Sequence, residues 1–397
     1  MVSLQGSWAV PVSYAENTGL ELDLLAALLD KGTRKKDKLQ ISEALERVGA
    51  SISFSAGSGK IHAGARCLTK DLPVLLDLIR EQVEMPAFPE RELELLKGRI
   101  KAQLRRQGSD PGAMCRNEMS RQLFGPDHPH REVSFEECAQ RLEGLDVDAV
   151  ARVHGSPESW KGLRLAVVGD VGTVDPHDLA QRLVIHEGGG EGTVFHVPGT
   201  HFLNGTVAAS RHIPIPDRAN LNVQLGHPVD VVWSSEDFLP LWVGVFILGG
   251  NFSSRLMSIV RDEKGLTYGI RSGLGHVGMT YGGAWTTSVT LSQERLEEGI
   301  ATTKEVIDRF VRDGITAQEL DERIETLIGS YEVELATTAG LAGRLVQNIS
   351  RGCAPSYLDT HPDTVRRLTP ERVNAAVRRY LDPEKLSMVS AGTRLGA

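Results

Sequence analysis

The sequence predicts an α+β protein of two homologous domains, each a largely antiparallel sheet with helices packed on one face. Segments of the first half recur in the second half at an offset of about 220 residues, a period far longer than that of solenoid repeats. Each half reads as helix, hairpin, long helices, helix and final strand, an order that favours helices layered on a mainly antiparallel sheet. A Gly-rich stretch separates the halves. We therefore expect domains at 1–180 and 201–397, joined by a linker at 181–200.

Four pairs of segments carry this repeat, and each pair has one element type. The pairs are the apolar runs 24–33 and 241–251, the amphipathic helices 89–104 and 316–331, the helices 145–155 and 368–381, and the strands 163–171 and 385–393. Thr316 and Glu319 form a capping-box pattern at the start of one of these helices. Alternating residues and central glycines predict hairpins at 51–64 and at 268–291. Because the chain begins close to the first helix, we expect the first edge strand to be short or missing.

Composition excludes several classes of function. The chain of 397 residues has a formal net charge of −8 and no long basic run, so a nucleic-acid ligand is not expected. No apolar run reaches the roughly 20 residues of a membrane-spanning helix. The N-terminus lacks the layout of a secretory signal, so we expect a cytoplasmic protein, or a periplasmic one if a signal was removed. The cysteines are dispersed without a C-x-x-C pair and are interpreted as reduced thiols: Cys67, Cys115, Cys138 and Cys353.

The segment 253–270, SSRLMSIVRDEKGLTYGI, carries the most functional information. Its apolar residues predict a short helix with Arg261 in the last turn, where a cation complements the helix dipole. Gly265 then ends the helix and Tyr268 begins a strand, so both side chains can reach one rim. The spacing by itself equally fits an Arg at a helix end and a Tyr in a strand, with no functional role.

Two glycines followed by S-R-L-x-x-x-V-R-x-x-x-G-L-x-Y resemble the second-domain signature of pitrilysin/insulysin-type zinc metallopeptidases, the inverzincins. The resemblance implies that Arg261 and Tyr268 reach across a cavity to a zinc site. There they would bind the substrate backbone and help to stabilise the reacting carbonyl. The resemblance covers nearly the whole chain. The first half resembles the zinc-binding domain of the family, and FGPDHPH (124–130) resembles its F-G-x-x-H-P loop.

The zinc-site positions of the family are changed in this chain. In catalytic members, the helix before K-G-T carries H-x-x-E-H, with two His ligands and a Glu general base. Counting back from K-G-T at 31–33 in this chain places Asp23 and Ala27 at the His positions and Ala26 at the base position. Alignment of a later helix places Gln103 at the third ligand and Leu96 at a supporting carboxylate position. Two oxygen donors are too few for a zinc site, so we expect no metal in this chain.

The leading interpretation is the non-metal-binding subunit of a heterodimeric zinc metalloendopeptidase, inactive alone. A homologous partner would hold the zinc with H-x-x-E-H, peptide would be the substrate, and this chain would supply Arg261 and Tyr268. One alternative is a catalytically inactive structural or assembly protein of the same fold, like the core proteins of a respiratory complex. Another is an autonomous enzyme with a metal site elsewhere. We interpret His128 and His130 as parts of a loop rather than metal ligands, and no serine-hydrolase, P-loop or Cys/His nucleophile motif is present.

Overall fold

A computed structural model describes residues 1–10, 19–126, 128–172, 174–185 and 208–394. The elements of the first half are β1 Val2–Ala9, α1 Gly19–Leu28, α2 Lys38–Arg47, β2 Ser51–Gly57, β3 Lys60–Cys67, α3 Leu72–Glu84, α4 Glu90–Gly108, α5 Pro111–Leu123, α6 Phe135–Gly144, α7 Val147–His154, β4 Lys161–Val168 and α8 Pro176–Leu183. Those of the second half are β5 Ser210–Pro214, β6 Asn220–Val229, α9 Phe238–Gly249, a π-helical segment Met257–Glu263, β7 Ile270–Gly275, β8 Gly283–Ser292, α10 Leu296–Asp313, α11 Ala317–Leu335, α12 Thr338–Ser350, α13 Tyr357–Arg366, α14 Pro370–Tyr380 and β9 Ser387–Gly392.

The chain forms two compact units that are interleaved in sequence. Unit 1 comprises Met1–Ala102, Ala139–His196 and Ser330–Thr360, and unit 2 comprises Gln103–Cys138, Val197–Gly329 and His361–Ala397. The predicted domains 1–180 and 201–397 are contiguous and therefore differ from the units. The predicted Gly-rich linker 181–200 lies mostly outside the described residues, and the domain bounds stay a prediction.

Unit 1 is built on a four-stranded antiparallel sheet with the strand order β2-β3-β1-β4. Strand residues alternate between two faces of the sheet. One face carries Val2, Leu4, Trp8, Ile61 and Ala63, all fully buried. These side chains join apolar residues of α1, α3, α4 and α8 in a single core cluster, as expected for helices layered on one face of a sheet.

Unit 2 is built on a five-stranded sheet with the order β5-β9-β6-β8-β7. All strand pairs are antiparallel except the parallel pair of β5 with β9. The buried Leu221, Val223, Leu225, Trp285 and Val289 face a core cluster that includes residues of α9, α10, α11 and α14. The predicted α+β fold, with largely antiparallel sheets, is therefore confirmed.

The two sheets share one topology. The order β2-β3-β1-β4 of unit 1 matches the order β7-β8-β6-β9 of unit 2, and only β5 has no counterpart in the other sheet. Each predicted hairpin and each paired helix lies within a few residues of its predicted bounds. The expectation of a short or missing first strand is wrong, because Val2–Ala9 forms an eight-residue strand that pairs with β3 and β4 on either side.

One helix also covers part of the second face of each sheet, which the sequence analysis did not predict. In unit 1, α12 packs on β1 and β4 through Ala342 and Val346 against Ala166. In unit 2, α5 packs on β6 and β9 through Cys115 and Met119. Each covering helix comes from the opposite half of the chain, so no local pattern marks its destination. Of the described helices, none combines the length and the apolar character that crossing a membrane requires.

Gly249, the last residue of α9, allows this helix to lie directly against β7. A Cβ atom at this position would lie 2.4 Å from the backbone nitrogen of Ser272 and 2.9 Å from its Cα atom. Because both obstructing atoms belong to the backbone of a paired strand, they cannot move aside without shifting the strand. The first glycine of the Gly-Gly pair before the sequence motif is thus a packing requirement.

We expect Gly249→Ala to lower the free energy of unfolding by about 1–3 kcal/mol, the usual range for forcing extra volume into a packed contact. Chemical denaturation of both proteins measures this difference. The matched control is Gly273→Ala on β7, where an added Cβ meets no atom within 4 Å. Equal stability of the two variants would contradict the close-packing explanation.

Candidate functional site

The segment 253–270, called the signature segment below, contains a π-helical turn at Met257–Glu263 instead of the predicted regular helix. Leu256, Met257 and Val260 are buried in the core of unit 2 and fix its inner side. Gly265 has φ +59° and its amide donates to the carbonyl of Arg261, which is the left-handed helix ending expected of glycine. Short π-helical insertions are common at functional sites because they re-aim side chains.

Arg261 leaves this turn toward solvent, with 38% of its side-chain surface exposed. Its guanidinium carbon lies 5.5 Å from the centre of the Phe252 ring, a cation–π arrangement. The only described carboxylate beside it is Asp262, at 3.7 Å and itself exposed, so this pairing is weak. The guanidinium therefore keeps donors available for a ligand.

Tyr268 lies two residues before β7 and is 94% exposed. The turn that carries it is fixed by Thr267, whose hydroxyl donates to the Thr290 carbonyl at 2.6 Å and accepts from the Gly269 amide at 3.0 Å. Within the described part of the chain, the Tyr268 hydroxyl has no intramolecular partner. A rigid backbone thus presents a free phenol to solvent.

Tyr268 and Phe252 line one cavity of about 290 Å³ in unit 2. The structure therefore brings Tyr268 and the ring that holds Arg261 to the same cavity. The Asn251 side-chain oxygen is buried there and has no hydrogen-bond partner among the described residues. The remaining lining residues are Asn222, Met257, Gly269, Ile270, Arg271, Ser288, Val289 and Thr290.

The cavity combines apolar surface with amide, hydroxyl and guanidinium groups, as ligand sites commonly do. Thr290 donates from its hydroxyl to Asn222 at 3.0 Å, which orders one wall. Sequence reasoning missed Asn251, Phe252 and Arg271. The first two follow the Gly-Gly pair directly, so their position beside the motif was the available signal.

A second arginine of the motif, Arg255, holds the segment in place. Its guanidinium donates to both carboxylate oxygens of Glu319, at 2.6 and 2.7 Å, and to the Gly314 carbonyl at 2.6 Å. Thr316 and Glu319 form the predicted capping box at the start of α11. Burial raises the pKa of Glu319, but the hydrogen bonds from Arg255 and Thr316 outweigh it and lower that pKa to about 2.

The positions that would correspond to a zinc site do not form one. On α1, Ala26 is buried in the core and Ala27 packs against it. Leu96 on α4 is part of the same core cluster, while Gln103 on α4 is exposed. Asp23 is exposed, yet nearby protein removes enough hydration to raise its pKa to about 6. Across the described ranges, no group of three or more His, Cys, Asp or Glu side chains is arranged to hold a metal ion, and the residues at these positions do not fit zinc.

The F-G-x-x-H-P loop forms an aromatic cluster in unit 2. The His128 ring stacks on Phe124 with centroids 4.2 Å apart, and the His130 ring lies 4.5 Å from that of His276 and 5.5 Å from that of Tyr281. Burial lowers the pKa of His128 to about 4. Burial, with added repulsion from His276 and His128, lowers the pKa of His130 to about 3. Both imidazoles are therefore neutral packing groups at pH 7.

Arg255→Met should lower the free energy of unfolding by about 2 kcal/mol, because it leaves the partly buried Glu319 carboxylate without its main partner. Denaturant titration measures the loss. The matched control is Arg312→Met, which removes a two-bond pair with Asp313, at 2.8 and 3.3 Å, that is fully exposed, and we expect no measurable change there. Similar effects of both substitutions would contradict a special role for the Arg255 contact.

The histidine cluster predicts a loss of stability in acid. Between about pH 6.5 and pH 4 the unfolded chain binds protons at His128 and His130 that the folded chain excludes, because the folded-state pKa values are depressed. As the pH is lowered through this range, the free energy of unfolding therefore decreases by about 1.4 kcal/mol per pH unit for each such proton. His130→Phe keeps the ring contacts and removes one proton, so it should flatten this decline in urea titrations.

The exposed His177 on α8 provides the control, because His177→Gln should leave the slope unchanged. An unchanged slope in His130→Phe would show that other groups govern acid unfolding.

Residues 163–327 match the family described as Peptidase M16 inactive domain. Over 95% of its length the chain is 24% identical to an uncharacterized zinc protease of Streptomyces coelicolor, of which the match covers 82%. It is 20% identical over 92% of its length to the non-peptidase homolog YmxG of Helicobacter pylori, again with 82% of that protein covered. The crystal structure of a peptidase M16 inactive domain from Pseudomonas fluorescens matches 99% of the chain and 93% of its own, with a TM-score of 0.86 and 25% identity.

These matches extend over both halves of the chain and agree with the shared topology of its two sheets. They also agree with the signature segment that ends at Tyr268, which lies inside the matched family range. Residues 163–327 thus match the inactive domain of the M16 peptidase family, and the chain as a whole has the fold of a solved M16 inactive domain.

Proposed function

We propose that this chain is the non-metal-binding subunit of a heterodimeric zinc metalloendopeptidase. The observation that carries the proposal is the shared cavity of unit 2, where an exposed Tyr268 hydroxyl and the Phe252 ring beneath Arg261 lie together. The changed residues at the zinc positions of α1 and α4 support a division of labour. The zinc would be held by a homologous partner, and this chain would contribute to binding and polarising the peptide.

The two side chains suit different parts of that task. A guanidinium has several donors in a fixed plane and can hold the carbonyl oxygens of a peptide backbone. A phenol hydroxyl donates one hydrogen bond and can meet an oxygen on which negative charge develops during peptide cleavage. Neither role requires a change in protonation, and no step is assigned to a metal in this chain.

A structural or assembly role is the second candidate. It is favoured by the similarity to a protein named as a non-peptidase homolog and by the packing of Ala26 and Leu96, at two of the zinc-site positions, in the core of unit 1. In that case the cavity would be an inherited feature of the fold, and neither Arg261 nor Tyr268 would be needed for function.

Reconstitution with a homologous subunit that carries H-x-x-E-H tests the proposal. Tyr268→Phe should lower kcat for peptide cleavage by roughly 10²–10³-fold, because the lost donor acts on charge present only in the transition state. Arg261→Lys keeps the charge but loses the planar fork, so KM should rise more than kcat falls. Steady-state kinetics with a quenched fluorescent peptide separates the two effects.

The matched control is Tyr380→Phe, whose hydroxyl donates to Asp237 outside the cavity at 3.1 Å. It should leave both constants unchanged, and the zinc content of the complex should be the same for all variants. Full activity of the double variant Tyr268→Phe, Arg261→Ala would reject the catalytic proposal in favour of the structural role.

A further inference from the structure

The described strands contain no Asp or Glu, although the chain has 52 acidic and 44 basic residues. Low β-propensity explains part of this absence, but Lys is disfavoured in strands as well. Basic residues are nevertheless present on the strands of both units. They are Lys60, Arg66, Lys161, Arg164, Arg211 and Arg271.

Three of these cations lie on the polar face of the unit 1 sheet. The register places His62, Ser7 and Arg164 side by side across β3, β1 and β4. Lys60 is the first residue of β3, two positions before His62, and Arg66 lies near the other end of the strand. The opposite face holds the apolar core. We call the surface formed by Lys60, His62, Arg66 and Arg164 the cationic face.

Helix α12 covers only part of this side of the sheet. It packs on β1 and β4, where Ser3 and Thr338 share a hydrogen bond of 2.8 Å. Lys60, His62 and Arg164 remain half-buried and Arg66 is exposed. The cationic face is therefore accessible at its β3 side.

The charges of the cationic face are not balanced within the protein. Among the described residues, Lys60, Arg66 and Arg164 form no ion pair with a carboxylate. Burial and the nearby Arg164 guanidinium lower the pKa of Lys60, while burial and Lys60 lower the pKa of His62. The hydroxyl oxygen of Ser7 is fully buried and has no hydrogen-bond partner among the described residues. Holding like charges together at partial burial opposes folding, so the arrangement suits an anionic ligand.

The spacing of the charges indicates the size of that ligand. Arg66 lies six positions along β3 from Lys60, which at about 3.3 Å per residue is roughly 20 Å. A single phosphate or carboxylate cannot span this distance, whereas a chain with several acidic side chains can. The strand residues of this face include no Phe, Tyr or Trp, so the aromatic platforms that stack nucleic-acid bases are missing from it.

Unit 2 shows the same property within its own cavity. Arg271 on β7 lines the cavity beside Tyr268 and is exposed. Within the described ranges it forms no ion pair. An acidic side chain of a bound peptide would give this guanidinium a charge partner.

We propose that the cationic face of unit 1 binds a peptide segment rich in Asp and Glu. This inference deepens the proposed function, because it names the chemical class of peptide that the subunit would select. It concerns recognition alone, so it can be tested on the full chain without a zinc-bearing partner. Failure of cleavage and failure of recognition are therefore distinguishable.

Fluorescence anisotropy with two labelled peptides of equal length tests the preference. One peptide carries alternating Asp and Glu residues, and the other carries Asn and Gln at the same positions. We expect the acidic peptide to bind at least roughly tenfold more tightly at low salt, with the difference shrinking as ionic strength rises. Equal affinity for both peptides would overturn the proposal. Complete displacement of the bound acidic peptide by millimolar inorganic phosphate would also overturn it, because it would indicate a simple anion site.

A charge-matched pair of double variants localises the interaction. Lys60→Gln with Arg164→Gln removes two cations from the cationic face and should weaken the acidic peptide by roughly tenfold or more. Lys70→Gln with Arg91→Gln removes two exposed cations of the same unit that lie off the sheet and should change affinity little. Equal losses in both double variants would show general charge attraction and reject the site.

Measurements of the melting temperature show whether a variant loses binding only because it is unfolded. Lys60→Gln relieves repulsion from Arg164, so its melting temperature should be unchanged or higher while its affinity for the acidic peptide falls. If the double variant does not fold, Arg66→Gln gives the same test from an exposed position. Unchanged affinity in Lys60→Gln and in Arg66→Gln would overturn the proposal.

Discussion

Helix α9 lies against strand β7 with no room for a side chain at residue 249, and the candidate site of unit 2 depends on that contact. The chain leaves α9 at this point and places Asn251 and Phe252 at the cavity before it turns into the π-helical segment. Arg255 then ties the segment to the start of α11, and Thr267 fixes the turn into β7. A short sequence motif therefore combines one steric requirement, two anchoring contacts and the side chains that face the ligand.

The two faces of each sheet have different roles: one packs in the core, and the other is partly open to a ligand. One face of each sheet is covered by apolar helices and forms the core, and the polar face is covered only in part by a single helix. In unit 1 the positions related to zinc binding have joined the apolar side, since Ala26 and Leu96 pack in the core. The unbalanced charges of this unit lie on the opposite side of the sheet. The part of unit 1 best suited to contact a ligand is thus the sheet rather than helix α1.

The ionisable groups of the two units that matter most here are of three kinds. Glu319 has a strongly bonded partner and a pKa lowered to about 2, and its role is to anchor a helix start. His128 and His130 are kept neutral by burial and serve as aromatic packing surface. Arg261, Arg271 and Lys60 have weak partners or none among the described residues. Cations without strong internal partners lie where a peptide could reach them, which links the fold to the proposed recognition of peptides.

Much of the fold was predictable from the sequence, because alternation in the hairpins and the 3.6-residue period of the helices are local signals. The repeat of these signals predicted the common topology of the sheets. The segment from Arg255 to Tyr268 carried the resemblance to the M16 peptidases, and Arg261 and Tyr268 stay predictions as site residues. The sequence did not predict that Val2–Ala9 would be a full interior strand, that the motif would form a π-helical turn, or that α12 and α5 would cover the polar faces. It also missed the place of Phe252 beneath Arg261 and of His276 beside His130. Those features join residues from separate elements, so packing between elements decided them and no local periodicity records it.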